Sequence, residues 1–222
     1  MYLFIEPEFQ RKNGKPRFRG IPRIPRHCGS ISADRPHYRP EVAMSNTVFQ
    51  GVLSGRVWKF GDNTTTDYIM PGFAHSGTAA EMAKFCMYAN RPGFAAEARP
   101  GDIIIGGRNF GCGSSRPASR NLQTLGITCV IAESLSRLFF RSAINLGFPV
   151  LPCPGVYEIF EEGDTAQVDF RTGEVRNLDS GAAVQTHTLP EIAARILEAG
   201  GVVELLRREY AARPGDGRQT SP

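Results

Sequence analysis

Short apolar runs alternate with helix-like segments through the middle of the chain. Residues 103–105, 128–132 and 149–151 are short and almost wholly apolar, which is typical of strands buried on both faces. Residues 117–125 and 135–145 lie between these runs and carry apolar side chains at helical spacing. The order strand, helix, strand, helix, strand predicts an α/β fold with a parallel-sheet core and flanking helices.

Further elements are predicted on both sides of this core. A first strand, a helix, a β-rich segment and two C-terminal helices are predicted, in this order, at residues 52–60, 79–88, 156–184, 190–199 and 202–212. Thr78 and Ser134 suit the N-cap positions of the helices that follow them, and residues 91–101 are predicted to be a loop. The β-rich segment consists of short pieces joined by acidic and glycine turns, which predicts a small hairpin or barrel wall.

The N-terminal segment differs from the rest of the chain in charge. Residues 1–43 hold nine Lys and Arg against four Asp and Glu, a net charge of +5, whereas the whole chain carries +4 and its remainder therefore −1. The segment is rich in proline and has no helical or strand period, which predicts a disordered basic extension. Met44 opens a fresh polar segment and is an alternative start of the natural protein.

The basic extension has two further interpretations, an RNA-binding arm and an organelle transit peptide. Weak interleaving of aromatic residues counts against the first, and the four acids count against the second. Residues 44–212 are predicted to form a single domain, followed by a disordered tail at 213–222. The near-neutral charge of that domain gives no indication of nucleic-acid binding.

The cysteines indicate free thiols rather than a metal site. They are five in number and the closest two are 17 residues apart, without a CxxC or Cys/His cluster: Cys28, Cys86, Cys112, Cys129 and Cys153. Free thiols are typical of a reducing cytoplasm, so we expect a cytoplasmic protein with no metal ligand set of its own. No apolar run approaches the roughly 20 residues of a membrane span.

A glycine-rich motif, GGRNFGCGSSR at residues 106–116, joins the central strand to the next predicted helix. A helix start offers free backbone N–H groups to an anion, and here Ser114, Ser115 and Arg116 add two hydroxyls and a guanidinium. The motif lacks the defining residues of a P-loop, a dinucleotide fingerprint and a nucleophile elbow. It predicts a carboxylate site, and the same donors can stabilise a deprotonated serine.

Four stretches together are similar to a known family. They are GRVWKFGDNTTTDYIMPG at 55–72, GDIIIGGRNFGCGSSR at 101–116, VIAESLSRLFFRSAINLGFPVL at 130–151 and LEAGGVVELL at 197–206. These stretches resemble the small subunits of 3-isopropylmalate dehydratase, the swivel domain of the aconitase superfamily. The resemblance covers about residues 51–210 and implies a swivelling β/β/α domain.

The resemblance implies a hydro-lyase that isomerises 2- and 3-isopropylmalate, or a related substituted malate, by dehydration and rehydration in leucine biosynthesis. In this family a [4Fe–4S] cluster on a large subunit acts as a Lewis acid. The chain is therefore expected to hold no cofactor and no metal itself. It is expected to be active only with that large subunit, as a heterodimer or higher assembly.

Residue roles follow from the matched motifs. The resemblance implies that Ser114 is the base that removes a proton from the substrate. The residues implied to bind the substrate are Ser115, Arg116, His75, Ser76, Thr66 and Asp67. Cys112 has an alternative role as a nucleophile, but the resemblance makes it a small packing residue.

The chain departs from the family pattern in three places. Pro117 and Ala118 replace a polar pair after the arginine, Thr65 replaces the first acid of an Asp-Thr-Asp motif, and His75 replaces the arginine of the substituent-contacting loop. The substrate is therefore left open between isopropylmalate and a dimethylmalate-, homoaconitate- or citrate-type acid. A non-enzymatic anion-binding or assembly module is the alternative function.

Overall fold

The structure, a computed structural model, describes residues 9–12, 15–18, 51–74 and 78–211. It divides into two units, Met1–Glu41 and Val42–Pro222. In the first unit, strands β1 (Phe9–Lys12) and β2 (Lys15–Phe18) pair antiparallel.

These two paired strands differ from the disorder that the sequence predicts for their eight residues. The remainder of residues 1–43, Met44 and the tail at 213–222 lie outside the described residues. The extension, the alternative start and the tail therefore stay predictions.

The second unit is built on one seven-stranded sheet. Its strands are β3 (Val52–Phe60), β4 (Ile103–Gly106), β5 (Cys129–Ala132), β6 (Val150–Pro152), β7 (Thr165–Asp169), β8 (Glu174–Asn177) and β9 (Ala183–Gln185). The order is β6-β5-β4-β3-β7-β8-β9, parallel from β6 to β3 and antiparallel from β3 to β9. Strand β3 joins the two parts, because residues 57–60 pair with β4 and residues 52–56 pair with β7. The predicted α/β fold with a parallel core and a β-rich segment is confirmed.

The parallel strands are covered on both faces, as their apolar runs predict. Ile104 and Val130 point into a cluster formed with the helices. Ile103 and Ile131 point the other way, into a cluster that includes Val168 of β7. Helices therefore cover one face of the parallel strands and the antiparallel strands cover the other, which is the β/β/α arrangement.

The helices are α1 (Thr66–Ile69), α2 (Ala79–Ala83), α3 (Phe94–Glu97), α4 (Ser119–Thr124), α5 (Arg137–Asn145), α6 (Glu191–Ala199) and α7 (Val202–Ala211). The predicted positions of α4 to α7 agree with these bounds to within two residues. Among these helices, none is long and apolar enough to cross a membrane.

Two predictions between β3 and β4 are wrong. Helix α2 has the predicted Thr78 cap but ends at Ala83 instead of residue 88, because Met87 has a φ of 58° and its N–H bonds to Tyr68 O at 2.7 Å. The predicted loop at 91–101 contains α3, whose Phe94 is fully buried. Its ring packs edge-on against Trp58 at 5.0 Å, so tertiary contact rather than local pattern stabilises this short helix.

A buried carboxylate ties β3 to the segment before β4. Asp102 is 4% exposed and accepts hydrogen bonds from Arg56 Nη2 at 2.7 Å and Trp58 Nε1 at 2.7 Å. It also accepts one from the Arg99 backbone N–H at 2.9 Å. Burial by itself would raise the pKa of Asp102. The hydrogen bonds from Arg56, the Arg99 N–H and Trp58 outweigh burial and lower this pKa.

Candidate active site

The site forms where the loops after two parallel strands run side by side. Beyond the ends of β3 and β4, Gly107 N–H donates to Phe60 O at 2.9 Å and Gly111 N–H donates to Thr64 O at 2.7 Å. Thr66 N–H then donates to Cys112 O at 2.8 Å. The strand pairing is thus continued into the loops, and the start of α1 is held against the glycine-rich motif. Ligand sites of parallel sheets form at this carboxyl edge.

The loop after β5 supports the motif from its other side. Ser134 was predicted to cap α5, but the N-cap is Ser136, and Ser134 Oγ accepts a hydrogen bond from Asn109 N–H at 2.8 Å. Phe110 N–H donates to Ser134 O at 3.0 Å and Ser136 N–H donates to Phe110 O at 2.9 Å. The motif is therefore fixed between two neighbouring loops by backbone bonds.

Two glycines of the motif allow close approaches that a side chain would block. Gly111 has a φ of 75°, and a Cβ there would lie 2.2 Å from Phe139 Cγ. Gly113 has a φ of 111°, and a Cβ there would lie 3.0 Å from Thr66 Oγ1. Both positions need glycine, because the left-handed backbone and the crowding each disfavour a side chain.

Ser114, the predicted base, lies against Thr66. Its backbone N–H donates to Thr66 Oγ1 at 3.0 Å, and the two hydroxyl oxygens are 3.3 Å apart. Ser114 is partly exposed, whereas Thr66 is 0% exposed. A buried hydroxyl therefore contacts the side of Ser114 that faces away from solvent.

Arg116, the predicted carboxylate ligand, lies over the end of α1. Its Nη1 pairs with Asp67 Oδ1 and donates to Met70 O at 3.3 Å. The side chains of Arg116 and Asp67 are 31% and 62% exposed. A Cβ on Gly72 would lie 3.4 Å from Arg116 Nη2, so the glycine leaves room for the guanidinium. The pair is oriented but remains accessible.

The structure brings four of the seven predicted site residues together in two pairs. Ser114 meets Thr66, and Arg116 meets Asp67. Ser115, between Ser114 and Arg116 in the sequence, is exposed. His75 and Ser76 lie outside the described residues.

The predicted helix-start anion site is wrong in one respect. Helix α4 begins at Ser119 with Ala118 as its N-cap, so Ser114 lies several residues before the helix. The Ser114 N–H is already bonded to Thr66 Oγ1. The site therefore depends on side chains and on the paired loops rather than on the amides of a helix start.

Three of the four thiols within residues 51–74 and 78–211 are buried. Burial raises the pKa of the Cys86 and Cys129 thiols, and burial together with the charge of Glu133 raises the pKa of Cys153 to about 11. Cys112 is the partly exposed one. Within the described ranges, no group of three or more His, Cys, Asp or Glu side chains could hold a metal ion. These residues do not fit an iron–sulfur cluster.

Comparisons with known proteins agree with the motifs. Residues 86–153 match the family model of the aconitase C-terminal domain. The chain is 46% identical over 164 residues to the isopropylmalate/citramalate isomerase small subunit of Methanocaldococcus jannaschii, across 73% of this chain and 98% of that protein. It is 48% identical over 160 residues to the 3-isopropylmalate dehydratase small subunit 1 of Methanopyrus kandleri, across 71% of this chain and 94% of that protein.

The fold agrees as well. The crystal structure of 3-isopropylmalate dehydratase from Methanocaldococcus jannaschii matches with a TM-score of 0.69 at 33% identity, covering 72% of this chain and 96% of that chain. The predicted family and the predicted aconitase-type fold are confirmed. The relatives are small subunits, which implies a large-subunit partner. With such relatives covered almost from end to end, the chain belongs to the family of 3-isopropylmalate dehydratase small subunits.

Proposed function

We propose that this chain supplies half of an active site that isomerises a substituted malate, with Ser114 as the base. The observation that carries this proposal is the convergence of Ser114, Thr66, Arg116 and Asp67 where the loops after β3 and β4 meet. A hydroxyl and a guanidinium at one sheet edge suit a substrate that carries both an acidic C–H bond and carboxylates.

Ser114 is proposed to remove a proton from the carbon next to a substrate carboxylate. Its deprotonated Oγ accepts that proton as the C–H bond breaks and becomes a neutral hydroxyl, while the substrate carboxylate takes up the developing negative charge. The same hydroxyl returns a proton when water is added back in the second half of the reaction. Ser114 is partly exposed, so a substrate in the open side of the site can reach it.

Arg116 is proposed to hold the carboxylate that stabilises this charge. A guanidinium carries five N–H donors in a planar fork, and its contacts with Asp67 and Met70 use Nη1. The Asp67 carboxylate would repel a carboxylate ligand, so its role in this proposal is to orient Arg116 rather than to touch the substrate. Ser115, which is exposed and precedes Arg116 in the sequence, is proposed as a second donor.

The cluster of this enzyme class is proposed to belong to the large subunit. When bound there, it would supply the Lewis acid for departure of the substrate hydroxyl. This chain's contribution is then restricted to binding the carboxylate, orienting the substrate and moving the proton at Ser114.

Isopropylmalate or citramalate is the proposed substrate class, in line with the names of the relatives. His75 stands where the family pattern has arginine, so a dimethylmalate-, homoaconitate- or citrate-type acid is the alternative. The cytoplasm is the proposed compartment and leucine biosynthesis the proposed pathway.

The proposal is tested by co-producing the full chain with a cluster-bearing large subunit and assaying both under anaerobic conditions with a panel of substituted malates. We expect the isolated chain to be inactive and the complex to turn over at least one member of the panel. Turnover by the isolated chain would contradict the two-chain mechanism. Binding of malates by the complex without any turnover would favour the non-enzymatic anion-binding module.

Arg116→Lys is expected to raise the KM of the complex more than it lowers kcat. Lysine keeps the charge but loses the bidentate fork, a loss of about 1.5–3 kcal/mol or roughly 10- to 100-fold in kcat/KM. The matched control is Arg176→Lys on β8, an exposed arginine paired with Glu174. Equal kcat and KM values for the two variants would contradict the proposed role of Arg116 in carboxylate binding.

A further inference from the structure

Thr66 is buried directly behind the proposed base. Its side chain is 0% exposed, so its hydroxyl can neither reach a substrate nor exchange its hydrogen bonds with water. The polar partner that the structure gives this hydroxyl is Ser114, through the backbone N–H at 3.0 Å and the side-chain Oγ at 3.3 Å. The resemblance assigned Thr66 to substrate binding, but burial points to a different role.

The direction of the two hydrogen bonds follows from the donors. The Ser114 N–H can only donate, so it occupies a lone pair of Thr66 Oγ1. The hydroxyl proton of Thr66 then needs an acceptor, because a buried polar group without a partner is costly. Ser114 Oγ is the acceptor within reach in the part of the chain that the structure describes. Either hydroxyl could donate across this contact, and the need to satisfy the buried Thr66 proton favours donation from Thr66 O–H to Ser114 Oγ.

We propose that Thr66 is a positioning residue whose O–H donates to Ser114 Oγ, holds that oxygen toward the open side of the site and stabilises its deprotonated form. This inference rests on the proposed role of Ser114 as base. A hydrogen bond to an anionic oxygen is stronger than one to a neutral hydroxyl, so Thr66 favours the form of Ser114 that accepts a proton. A distance of 3.3 Å is long for two hydroxyls, but catalytic hydrogen bonds often shorten when substrate binds.

The surroundings keep the Thr66 hydroxyl in place. Its own N–H donates to Cys112 O at 2.8 Å, and its carbonyl accepts from Met70 N–H at 2.8 Å. Threonine is stiff at χ1, which limits the positions its hydroxyl can take. Gly113 leaves space for Oγ1, since a Cβ there would lie 3.0 Å from it. The donor is thus fixed before the reaction, as an oxyanion donor must be to contribute to catalysis.

Thr66→Val and Thr66→Ser in the assembled complex test this inference. Valine has the shape of threonine without the hydroxyl, and we expect it to lower kcat about 100-fold with little change in KM, as for loss of one oxyanion donor. Because the base then loses a stabilising donor, the acid limb of the kcat profile should move to higher pH. Serine keeps the hydroxyl and should restore most of the turnover and the original pH profile.

Thr64→Val is the matched control. Thr64 is 2% exposed in the same loop, and its Oγ1 donates to Gly61 O at 2.9 Å rather than to Ser114. The Thr64→Val variant should lose about as much folding stability as Thr66→Val, but the pH profile of its kcat should not shift. If Thr66→Val does not assemble, Thr66→Ala takes its place, because it removes the hydroxyl without adding a methyl group.

The outcomes separate the two proposals. If Thr66→Val or Thr66→Ala has the same kcat and the same pH profile as the control Thr64→Val, the proposed role of Thr66 is wrong. A failure of Thr66→Ser to restore turnover would overturn it too, because the hydroxyl is then not the group that matters. Retained turnover in Ser114→Ala would instead overturn the proposed base, whichever result Thr66 gives.

Discussion

Ser114→Ala is expected to lower the kcat of the assembled enzyme by about 10²- to 10⁴-fold, the usual contribution of a general base. The variant keeps the backbone N–H that bonds to Thr66 Oγ1 at 3.0 Å, so the paired loops should retain their arrangement. Substrate binding through Arg116 should remain, so KM should change much less than kcat. Steady-state kinetics of the complex with its best substrate measure both quantities.

Ser180→Ala is the matched control for this substitution. Ser180 lies in the turn between β8 and β9, where its Oγ accepts a hydrogen bond from Ala182 N–H at 3.3 Å. It should leave kcat and KM unchanged. If Ser114→Ala turns over within a few-fold of the control, the proton must be removed by another group.

Asp102→Asn is expected to cause the largest loss of stability of any single substitution considered for this domain. The side chain is 5% exposed, and asparagine leaves Arg56 without its charged partner and supplies one carbonyl acceptor in place of two carboxylate oxygens. Breaking a buried pair costs about 3–5 kcal/mol. Because Arg56 is itself 37% exposed and can be solvated, we expect about 2–4 kcal/mol. Denaturant unfolding at pH 7 measures this loss.

The control for Asp102 is Glu174→Gln, which removes the carboxylate of an exposed pair with Arg176. Exposed pairs contribute about 0–1 kcal/mol, so this variant should unfold close to wild type. Equal free energies of unfolding for the two variants would mean that the Asp102 cluster does not stabilise the fold.

The contribution of Asp102 should also depend on pH. Its pKa is lowered in the folded state, so the unfolded chain takes up the proton at a higher pH than the folded one. The stabilisation is therefore complete above the unfolded pKa of about 3.9 and is lost as the pH falls through the lower folded value. The difference in unfolding free energy between wild type and Asp102→Asn should shrink below about pH 4.

The layers of the fold could be predicted from the sequence, because a short run that is apolar at every position indicates a strand covered on both faces. A stretch such as Cys129–Ala132, apolar at every position, is stable only between two covering layers, and the structure provides helices on one face and antiparallel strands on the other. Helix α3 was not predictable in the same way. Four residues do not form a stable helix alone, and Phe94 is ordered by rings that come from β3.

The sequence also predicted which chemical groups form the site, but it did not predict which of them contact each other. Ser114, Ser115 and Arg116 are adjacent in one motif, and their hydroxyls and guanidinium indicate carboxylate binding. The polar segment after β3 was matched to the site only by resemblance. The available signal was that β3 and β4 are parallel strands followed by polar loops, which places both loops at one sheet edge.

The sequence by itself determined the family, the α/β fold and the identity of the reactive groups, because these depend on local pattern and on motifs. The tertiary structure decided which groups meet. In the folded chain, Ser114 forms a hydrogen bond with Thr66, which is 48 positions away in the sequence, and Arg116 forms an ion pair with Asp67. These contacts form because the backbones of the two loops pair beyond the strand ends. The tertiary structure also moved the site away from a helix start, since α4 begins only at Ser119. The orientation and the burial of a hydroxyl such as that of Thr66 depend on contacts between segments distant in the sequence, and these contacts exist only in the folded chain.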